Sequence, residues 1–507
     1  MQLRRWIPGL VCLFMMVVLR VYSQSADYRE PYRPQFHFSP QAHWMNDPNG
    51  MVYYKGEYHL FYQYYPGATV WGPMHWGHAV STDLIHWQHL PVALYPDSLG
   101  YIFSGSVVAD KNNSSGFQTG NESPLVAIFT YHNPAGEKAG KIDFQSQGIA
   151  YSNDKGRTWI KYAGNPVITN PGTRDFRDPK VCWQESSKHW ILTLAAGNEV
   201  QFYQSTDLKN WQLSGSFGKN AGSHAGVWEC PDLFEIKTDN GEFKWVLFVS
   251  IGNGAPNHGS GTQYFVGHFD GKTFINENPD STTLWIDYGT DNYAGVTWSN
   301  APDKRRIFLG WMSNWQYAQK VPTEKWRSAM TLPREVSLRN TANGWRLFFN
   351  PVKESSVLRT TKNATTLTTG KQYPLSLNEL ILDFSLSTDN ADNFGIALRN
   401  NSGEQLKIGF DRSANRFYID RTGMKQVAFS NDFPALHTAQ RIGTANTITM
   451  HLFIDRSSVE LFADKGSLVM TDLFFPLQDF TGVEIFPGKG KNPFINGKMY
   501  TLQSIWK

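Results

Sequence analysis

The sequence of 507 residues predicts an all-β protein in which a five-bladed β-propeller is followed by a C-terminal β-sandwich. Aromatic residues make up 14% of the chain and occur beside 43 glycines and 26 prolines, a mixture typical of many short strands joined by tight turns. A turn-like unit recurs through the first part of the chain, and the residue pattern changes after Asn350. These observations together predict the two domains.

Residues 1–23 have the pattern of a secretory signal peptide. Two arginines precede an apolar run from Ile7 to Leu19, and the small residue Ser23 follows. The run is shorter than the roughly 20 residues that a transmembrane helix needs. We therefore expect a secreted or periplasmic protein without a membrane span.

The overall composition narrows the class of protein. Charged residues make up 18% of the chain, hydrophobic residues 41%, and the formal net charge is +3. These values exclude a disordered chain and give no electrostatic reason to expect a nucleic-acid partner. Only Cys182 and Cys230 lie outside the predicted signal peptide, so disulfides cannot hold the fold together and stability must come from burial.

A Ser-x-Asp unit followed by a tryptophan occurs three times, each time after a strand-like run, and begins at Ser81, Ser152 and Ser205. A degenerate fourth copy begins near Phe269, and the segment from Arg306 to Trp311 is predicted to be an inner strand of a fifth blade. The spacings match or exceed the about 40–50 residues of common propeller blades. We predict five four-stranded blades over residues 30–350. The alternative is a large β-sandwich in which these turns are accidental.

The residue composition changes after Asn350. Tryptophan nearly disappears, and segments with the alternating pattern of strands, such as 447–454, are separated by polar turns. This pattern predicts a separate β-sandwich over residues 356–507, with the boundary between Pro351 and Ser356. We expect this domain to pack on the propeller as structural support. A carbohydrate-binding role is the alternative.

Three carboxylates are candidates for chemistry because each lies in a turn-like segment flanked by aromatic residues. Asp47 precedes the unit at Ser81, Asp178 precedes the unit at Ser205, and Glu229 precedes the degenerate copy near Phe269. Each acid is therefore expected near the first strand of its blade. First strands line the propeller axis, so the three acids are expected to converge there. Mutual repulsion and partial desolvation would then separate their pKa values. For any single Asp-Pro turn, the structural alternative is an Asx-turn cap.

Two carboxylates with different pKa values are what glycoside hydrolysis requires. An ionised carboxylate attacks or stabilises the anomeric carbon, while a protonated one gives its proton to the leaving oxygen. Arg177, beside Asp178, is expected to hold that acid in its ionised form.

Four segments in order resemble the signature segments of glycoside hydrolase family 32, the β-fructosidases that include invertases, inulinases and levanases. They are Trp44-Met45-Asn46-Asp47-Pro48-Asn49-Gly50, Phe103-Ser104-Gly105-Ser106, Phe176-Arg177-Asp178-Pro179 and Trp228-Glu229-Cys230-Pro231. The late segment 453–462 also resembles the C-terminal sandwich of that family. The fold that the resemblance implies, a five-bladed propeller followed by a β-sandwich, agrees with the repeat pattern.

The resemblance implies a role for each acid. Asp47 would be the nucleophile that attacks C2 of a terminal fructofuranosyl unit, and Glu229 the acid/base that protonates the leaving oxygen and then activates water, with net retention. Asp178 would stabilise the transition state by hydrogen bonds to ring hydroxyls. An activity optimum on the acid side is expected, because Glu229 must be protonated to act as the acid.

The resemblance also implies a pocket for the terminal fructose, in which amides and hydroxyls bind the sugar hydroxyls and Trp71 or Trp315 lies along the apolar face. The residues that match are Asn46, Gln63, Trp71, Phe103, Ser104, Arg177 and Trp315.

Other residues near these motifs have interpretations that do not require a direct role in catalysis. Cys230 either tunes the environment of Glu229 or fills a small buried space, and both readings stay open. His75 and His78 flank Trp76, but no third ligand has suitable spacing, so we predict structural roles for all three, no metal and no cofactor.

The predicted function is a retaining β-fructosidase that removes terminal non-reducing β-D-fructofuranosyl residues from fructans, levan or inulin, and from sucrose. The alternatives are a fructosyltransferase, an endo-acting fructanase, a non-catalytic fructan-binding propeller and an arabinan-cleaving enzyme. The sequence leaves open the linkage preference, because that depends on the loops around the funnel mouth.

Overall fold

The structure is a computed structural model that describes residues 28–387 and 392–506, so the predicted signal peptide lies outside the described residues. Strands dominate the described part of the chain. Its helical segments are the α-helix Pro134–Lys138 and the 3-10 helices Pro302–Lys304, Lys353–Leu358 and Asp464–Gly466.

Five antiparallel sheets follow one another along residues 43–351, and each takes its four main strands from consecutive segments of the chain. Blade 1 contains His43–Tyr54, Glu57–Tyr65, His75–Ser81 and Gln88–Leu94. Blade 2 contains Tyr101–Ala109, Leu125–His132, Gln145–Ser152 and Ile160–Lys161. Blade 3 contains Phe176–Gln184, His189–Ala196, Glu199–Ser205 and Gln212–Phe217.

Blades 4 and 5 have the same plan with one short extra strand each. Blade 4 contains Trp228–Lys237, Phe243–Ile251, Gly261–Phe269 and Phe274–Asn276, with Leu284–Trp285 added. Blade 5 contains Tyr293–Thr297, Ile307–Met312, Arg334–Thr341 and Gly344–Pro351, with Ala329–Met330 added.

The first strand of each blade, here called its inner strand, contacts the inner strands of the two adjacent blades, so the five form a closed ring. The short strand Trp326–Arg327 also pairs in parallel with the start of blade 1, which ties a segment of the last blade to the first blade. The predicted five-bladed propeller is confirmed.

The predicted position of the fifth inner strand is wrong. Ile307–Met312 is the second strand of blade 5, and the inner strand is Tyr293–Thr297. The apolar segment from Ile307 is buried on both faces and gives a strong strand signal. The true inner strand is short and contains the weak strand formers Ala294 and Gly295, which conceal it.

The repeated Ser-x-Asp units have one structural role. The units at Ser81, Ser152 and Ser205 each begin at the last residue of a third strand. In each unit the serine hydroxyl donates to the aspartate carboxylate at 2.7–3.1 Å, and it accepts from the aspartate backbone N–H. This local bonding ends the third strand in the same way in three blades.

Two six-stranded sheets follow the propeller. One has the order Thr365–Thr366, Phe494–Thr501, Asn378–Ser385, Thr447–Ile454, Ser458–Ala463 and Leu468–Leu473. The other has the order Gln372–Pro374, Gly482–Phe486, Asn393–Arg399, Gln405–Asp411, Arg416–Asp420 and Leu436–Gln440. Side chains of both sheets share one buried apolar core, so the predicted β-sandwich is confirmed. The exact domain boundary, placed between Pro351 and Ser356, stays a prediction.

Buried charges join the two domains. Arg334 of blade 5 donates to Glu460 Oε2 of the sandwich from Nε at 3.1 Å and to Asp287 Oδ2 at 2.8 Å. His37 lies 2.9 Å from Glu460 Oε1 and 2.8 Å from Asp455 Oδ2. We call these five residues the interdomain charge cluster. Burial lowers the pKa of His37, but hydrogen bonds and attraction from the two carboxylates outweigh burial and raise it to about 9.

Candidate active site

All five inner strands are bulged at the same level of the propeller. In each one the regular pairing with the second strand is interrupted near the strand's beginning. The interrupted residues are Asn46-Asp47, Phe103-Ser104, Asp178-Pro179, Cys230-Pro231 and Ala294-Gly295. Because a β-bulge re-aims side chains, the repeated bulge turns residues from all five blades toward the axis.

Asp47 is buried in the bulge of blade 1 and is held at both carboxylate oxygens. Ser104 Oγ donates to Oδ2 at 2.6 Å, and Asn46 Nδ2 donates to Oδ1 at 2.9 Å. Trp44 Nε1 in turn donates to Asn46 Oδ1 at 2.7 Å. Burial raises the pKa of Asp47, the two hydrogen bonds oppose that effect, and the charge of Glu229 adds to it, so the net shift is upward.

Asp178 lies in the bulge of blade 3 with a left-handed φ of 66°. Its Oδ2 accepts from the backbone N–H of Cys230 at 3.0 Å. Burial raises the pKa of Asp178 to about 7, with opposition from Arg177 and further contributions from Glu229 and Asp47. The prediction that Arg177 holds Asp178 ionised is therefore wrong. Arg177 Nε lies 4.0 Å from Asp178 Oδ2, too far for a hydrogen bond.

Glu229, at the start of the inner strand of blade 4, receives hydrogen bonds from Arg177 and Tyr293. Arg177 donates to Glu229 Oε1 from Nη2 at 3.0 Å and from Nε at 3.2 Å. The hydroxyl of Tyr293 donates to Oε2. Asp175 Oδ1 accepts from Arg177 Nη1 at 2.6 Å. Glu229 is thus held by side chains of the two adjacent blades.

Cys230 contacts two of the three acids. Its thiol sulfur lies 3.6 Å from Asp47 Oδ2 and 3.6 Å from Asp178 Oδ2. Burial and the surrounding carboxylates raise the pKa of this thiol, so it stays protonated and acts as a weak donor. The residue therefore fills a small buried space between Asp47 and Asp178, and an effect on Glu229 stays a prediction.

A cleft of about 340 Å³ opens beside Glu229, and this volume is within the range of small-molecule sites. Among the predicted pocket residues, Trp71, Phe103, Arg177 and Trp315 line it, together with Glu229. Six further lining residues were not predicted: His132, Glu137, Phe144, Gln145, Asp175 and Gln319. Aromatic rings and hydrogen-bonding groups therefore face the same space.

The remaining predicted pocket residues do not line this cleft. Asn46 and Ser104 bind Asp47, as described above. Gln63 is buried on the second strand of blade 1, opposite the bulge, and its Nε2 donates to Ile102 O at 3.1 Å.

The side chains of His75, Trp76 and His78 have hydrogen-bond partners other than the three acids. Trp76 is fully buried and its Nε1 donates to Phe103 O at 3.0 Å. His75 Nδ1 bonds Pro73 O at 2.9 Å, and His78 bonds His59 at 3.1 Å. In the described part of the chain, no group of three or more His, Cys, Asp or Glu side chains is placed to hold a metal ion.

Tyr293 is the main site residue that the sequence did not reveal. Tyr293 is the first residue of the inner strand of blade 5, and Glu229 is the second residue of the inner strand of blade 4. A correct assignment of that strand would have identified it, because the site residues recur at the starts of inner strands.

Sequence and structure comparisons agree with this geometry. The sequence model for the N-terminal domain of glycosyl hydrolases family 32 matches residues 37–351, and the model for the C-terminal domain of the same family matches residues 340–501. A levanase of Bacillus subtilis is 48% identical, with 99% of this chain and 76% of that protein covered. An extracellular exo-inulinase of Aspergillus niger is 38% identical, with 96% and 97% covered.

Among solved structures, the exo-inulinase of Aspergillus awamori superposes with a TM-score of 0.88 and is 37% identical, over 94% of this chain and 100% of that chain. A β-fructofuranosidase of Schwanniomyces occidentalis superposes with a TM-score of 0.84 and is 34% identical, over 95% and 99%. Both domains are therefore similar, in order and in extent, to those of one enzyme family. The chain belongs to glycoside hydrolase family 32.

Proposed function

We propose that this protein is a retaining exo-β-fructosidase that hydrolyses terminal, non-reducing β-D-fructofuranosyl residues of fructans and of sucrose. The observation that carries the proposal is the meeting of Asp47, Asp178 and Glu229, from three inner strands, beside a cleft that Glu229 lines. Relatives named levanase and exo-inulinase, similar over nearly the whole chain, support fructans as the substrate class.

In the first step, Asp47 attacks C2 of the terminal fructosyl unit. The bond between C2 and the leaving oxygen breaks as Glu229 gives that oxygen its proton, and a covalent fructosyl-enzyme forms. Ser104 and Asn46 orient the attacking carboxylate and favour its charged form. These two hydrogen-bond donors are in place before the reaction begins, so the site needs little reorganisation as the charge on Asp47 changes.

In the second step, Glu229 takes a proton from water, and the oxygen of that water attacks C2 and displaces Asp47. Two inversions give net retention at C2. Arg177 and Tyr293 each contact one carboxyl oxygen of Glu229, which keeps the group in position for both proton transfers.

Asp178 stabilises the transition state by hydrogen bonds to sugar hydroxyls. With a pKa raised to about 7, this carboxyl is protonated in mildly acidic solution and can donate as well as accept a hydrogen bond. Its protonation also lowers the negative charge beside Asp47, which helps the nucleophile to stay ionised.

The shape of the cleft supports removal of single end units. Trp71 and Trp315 line the cleft together with Glu229, while Asp47 and Asp178 are buried in bulges of the inner strands. A site whose nucleophile is buried in this way admits a chain end more readily than the middle of a chain.

We propose that the protein is exported, with residues 1–23 as the signal peptide. No helix of the described residues is long and apolar enough to cross a membrane. The exo-inulinase relatives named extracellular support the same location. Sequencing the N-terminus of protein purified from the producing cells tests this: a mature chain that retains residues 1–23 would contradict it.

A time-resolved product profile on sucrose, inulin, levan and arabinan tests the enzymatic proposal. We expect fructose alone from the earliest time points, and the rates rank the linkages. Early oligosaccharides would contradict exo action, and fructosylated acceptors in place of fructose would indicate a transferase. Activity on arabinan alone would overturn the assignment.

A further inference from the structure

The connections around the cleft differ in length from blade to blade. In every blade the end of the second strand pairs with the start of the inner strand, so the connection between the second and third strands lies at the mouth of the cleft. We call these the mouth connections. They are residues 66–74 in blade 1, 133–144 in blade 2, 197–198 in blade 3, 252–260 in blade 4 and 313–333 in blade 5.

Long mouth connections form the walls of the cleft. Trp71 of blade 1, Glu137 and Phe144 of blade 2, and Trp315 and Gln319 of blade 5 all line it. The connection of blade 4 backs onto a neighbouring segment, since a Cβ at Gly254 would lie 2.3 Å from the Cβ of Ala225. The rim is therefore high over blades 1, 2 and 5.

Blade 3 leaves a gap among these mouth connections, flanked by residues 162–175 and 218–227, which enter the inner strands of blades 3 and 4 at the same end. Its mouth connection is the two-residue turn of Gly197 and Asn198, the shortest of the five. Gly197 N–H donates to Asp175 O at 2.7 Å, and Gly197 O accepts from Trp228 N–H at 2.9 Å. The low turn is thus bonded to Asp175, two residues before Arg177, and to Trp228, the residue before Glu229.

The chemistry places the rest of the substrate on this side. In the proposed function, Glu229 protonates the leaving oxygen, so the remainder of the chain emerges next to Glu229 and Arg177. The nucleophile Asp47 belongs to blade 1, and its partner Ser104 to blade 2, where the rim is high. The open side and the leaving-group side of the cleft coincide.

We propose that the gap over blade 3 is a binding groove for the remainder of a fructan polymer, which leaves the cleft across Asn198. Asp175 is partly exposed and Asn198 is exposed, so both offer hydrogen-bonding groups to sugar hydroxyls. Val227 is 37% exposed and offers a small apolar surface beside them. This inference rests on the proposed function, and it names the structural basis for action on polymers as opposed to disaccharides.

The test is to raise the rim of blade 3 and compare a short substrate with long ones. Four residues, Gly-Ser-Gly-Ser, are inserted between Gly197 and Asn198, and Asn198→Trp provides a second variant that keeps the turn length. We expect kcat/KM for inulin and levan, per chain end, to fall about tenfold or more, and kcat/KM for sucrose to stay within about threefold.

A matched control inserts the same four residues after Gly120, in the connection between the first and second strands of blade 2, where nothing lies within 4 Å of an added Cβ. That variant should keep the wild-type ratio of polymer to sucrose activity. Equal losses on polymer and sucrose in both blade 3 variants, or the same selective loss in the control, would overturn the groove. Absence of fructose release from every substrate by the unmodified enzyme would overturn the proposed function instead.

Discussion

Tyr293 and Glu229 lie on the inner strands of adjacent blades, and the Tyr293 hydroxyl donates a hydrogen bond to Glu229 Oε2. Arg177, from the blade on the other side, binds Oε1. The proposed acid/base is therefore held across three blades, and its position depends on the closure of the ring of inner strands.

The substitution Tyr293→Phe removes this hydrogen bond without changing the packing of the ring. Hydrogen bonds to charged groups contribute roughly 1.5–3 kcal/mol, so we expect kcat/KM on sucrose to fall by about tenfold to a hundredfold. Tyr264→Phe is the control, because its buried hydroxyl accepts from Leu347 N–H at 3.2 Å. An equal loss of activity in the control would show that the effect is general destabilisation.

Glu229→Ala should distinguish the proton donor, Glu229, from the nucleophile, Asp47, when substrates with different leaving groups are compared. On sucrose and fructans we expect a loss of about 10²–10⁴-fold or more, because the leaving oxygen has no proton donor. An aryl β-fructofuranoside with an acidic phenol needs no such donor, so a burst of phenol should persist. Asp47→Ala should lose activity on both substrates, and circular dichroism should show both variants folded. Near-normal turnover of fructans by Glu229→Ala would refute the acid/base role.

Asp178→Asn should stabilise the protein and reduce its activity. The folded-state pKa of Asp178, about 7, lies above its ordinary value near 3.8. The folded state therefore holds a proton that the unfolded state releases, and stability falls as pH rises from about 4 to about 7. The asparagine cannot ionise, so at pH 8 we expect it to raise the free energy of unfolding by roughly 2–4 kcal/mol.

Denaturant unfolding at pH 4.5 and pH 8 measures this effect. The gain should be small at the lower pH and full at the higher one. A gain of the same size at both values would mean that charge at Asp178 is not its cause.

His37 should make the stability of the whole chain depend on pH in the alkaline range. Its folded-state pKa, about 9, lies above the ordinary value of 6.5, so its contribution is present below pH 6.5 and is lost as pH rises through about 9. A shift of this size corresponds to about 3 kcal/mol. In His37→Gln we expect a lower midpoint of thermal unfolding at pH 6 and a flatter dependence between pH 7 and pH 10. An unchanged slope in the variant would contradict the assignment.

Local sequence patterns predicted most of the fold because they reflect local physics. The Ser-x-Asp turns bond within themselves, so they are visible in the sequence wherever a third strand ends. The strand Thr447–Ile454 alternates in burial along most of its length, as its sequence does. The same repeats placed Asp47, Asp178 and Glu229 on inner strands, and the structure brings them together.

The wrong and missing predictions concern side-chain direction, burial and strand position, which depend on the folded structure. Arg177 is next to Asp178 in sequence, but the bulge in blade 3 directs its guanidinium to Glu229 and Asp175. The raised pKa of Asp178 arises mainly from burial, which no local pattern encodes. Tyr293 was missed because a five-residue strand containing Ala-Gly gives almost no periodic signal.

The interdomain charge cluster also affects the order in which the chain can fold during synthesis. Arg334 and His37 are made long before Glu460, the carboxylate that both of them contact. Until the sandwich has left the ribosome, the propeller keeps an arginine and a histidine at its surface without their shared partner, and a sandwich produced alone would expose Glu460 in the same way. We expect the two domains to complete folding together as one cooperative unit. Either domain produced alone should not reach its fully folded state.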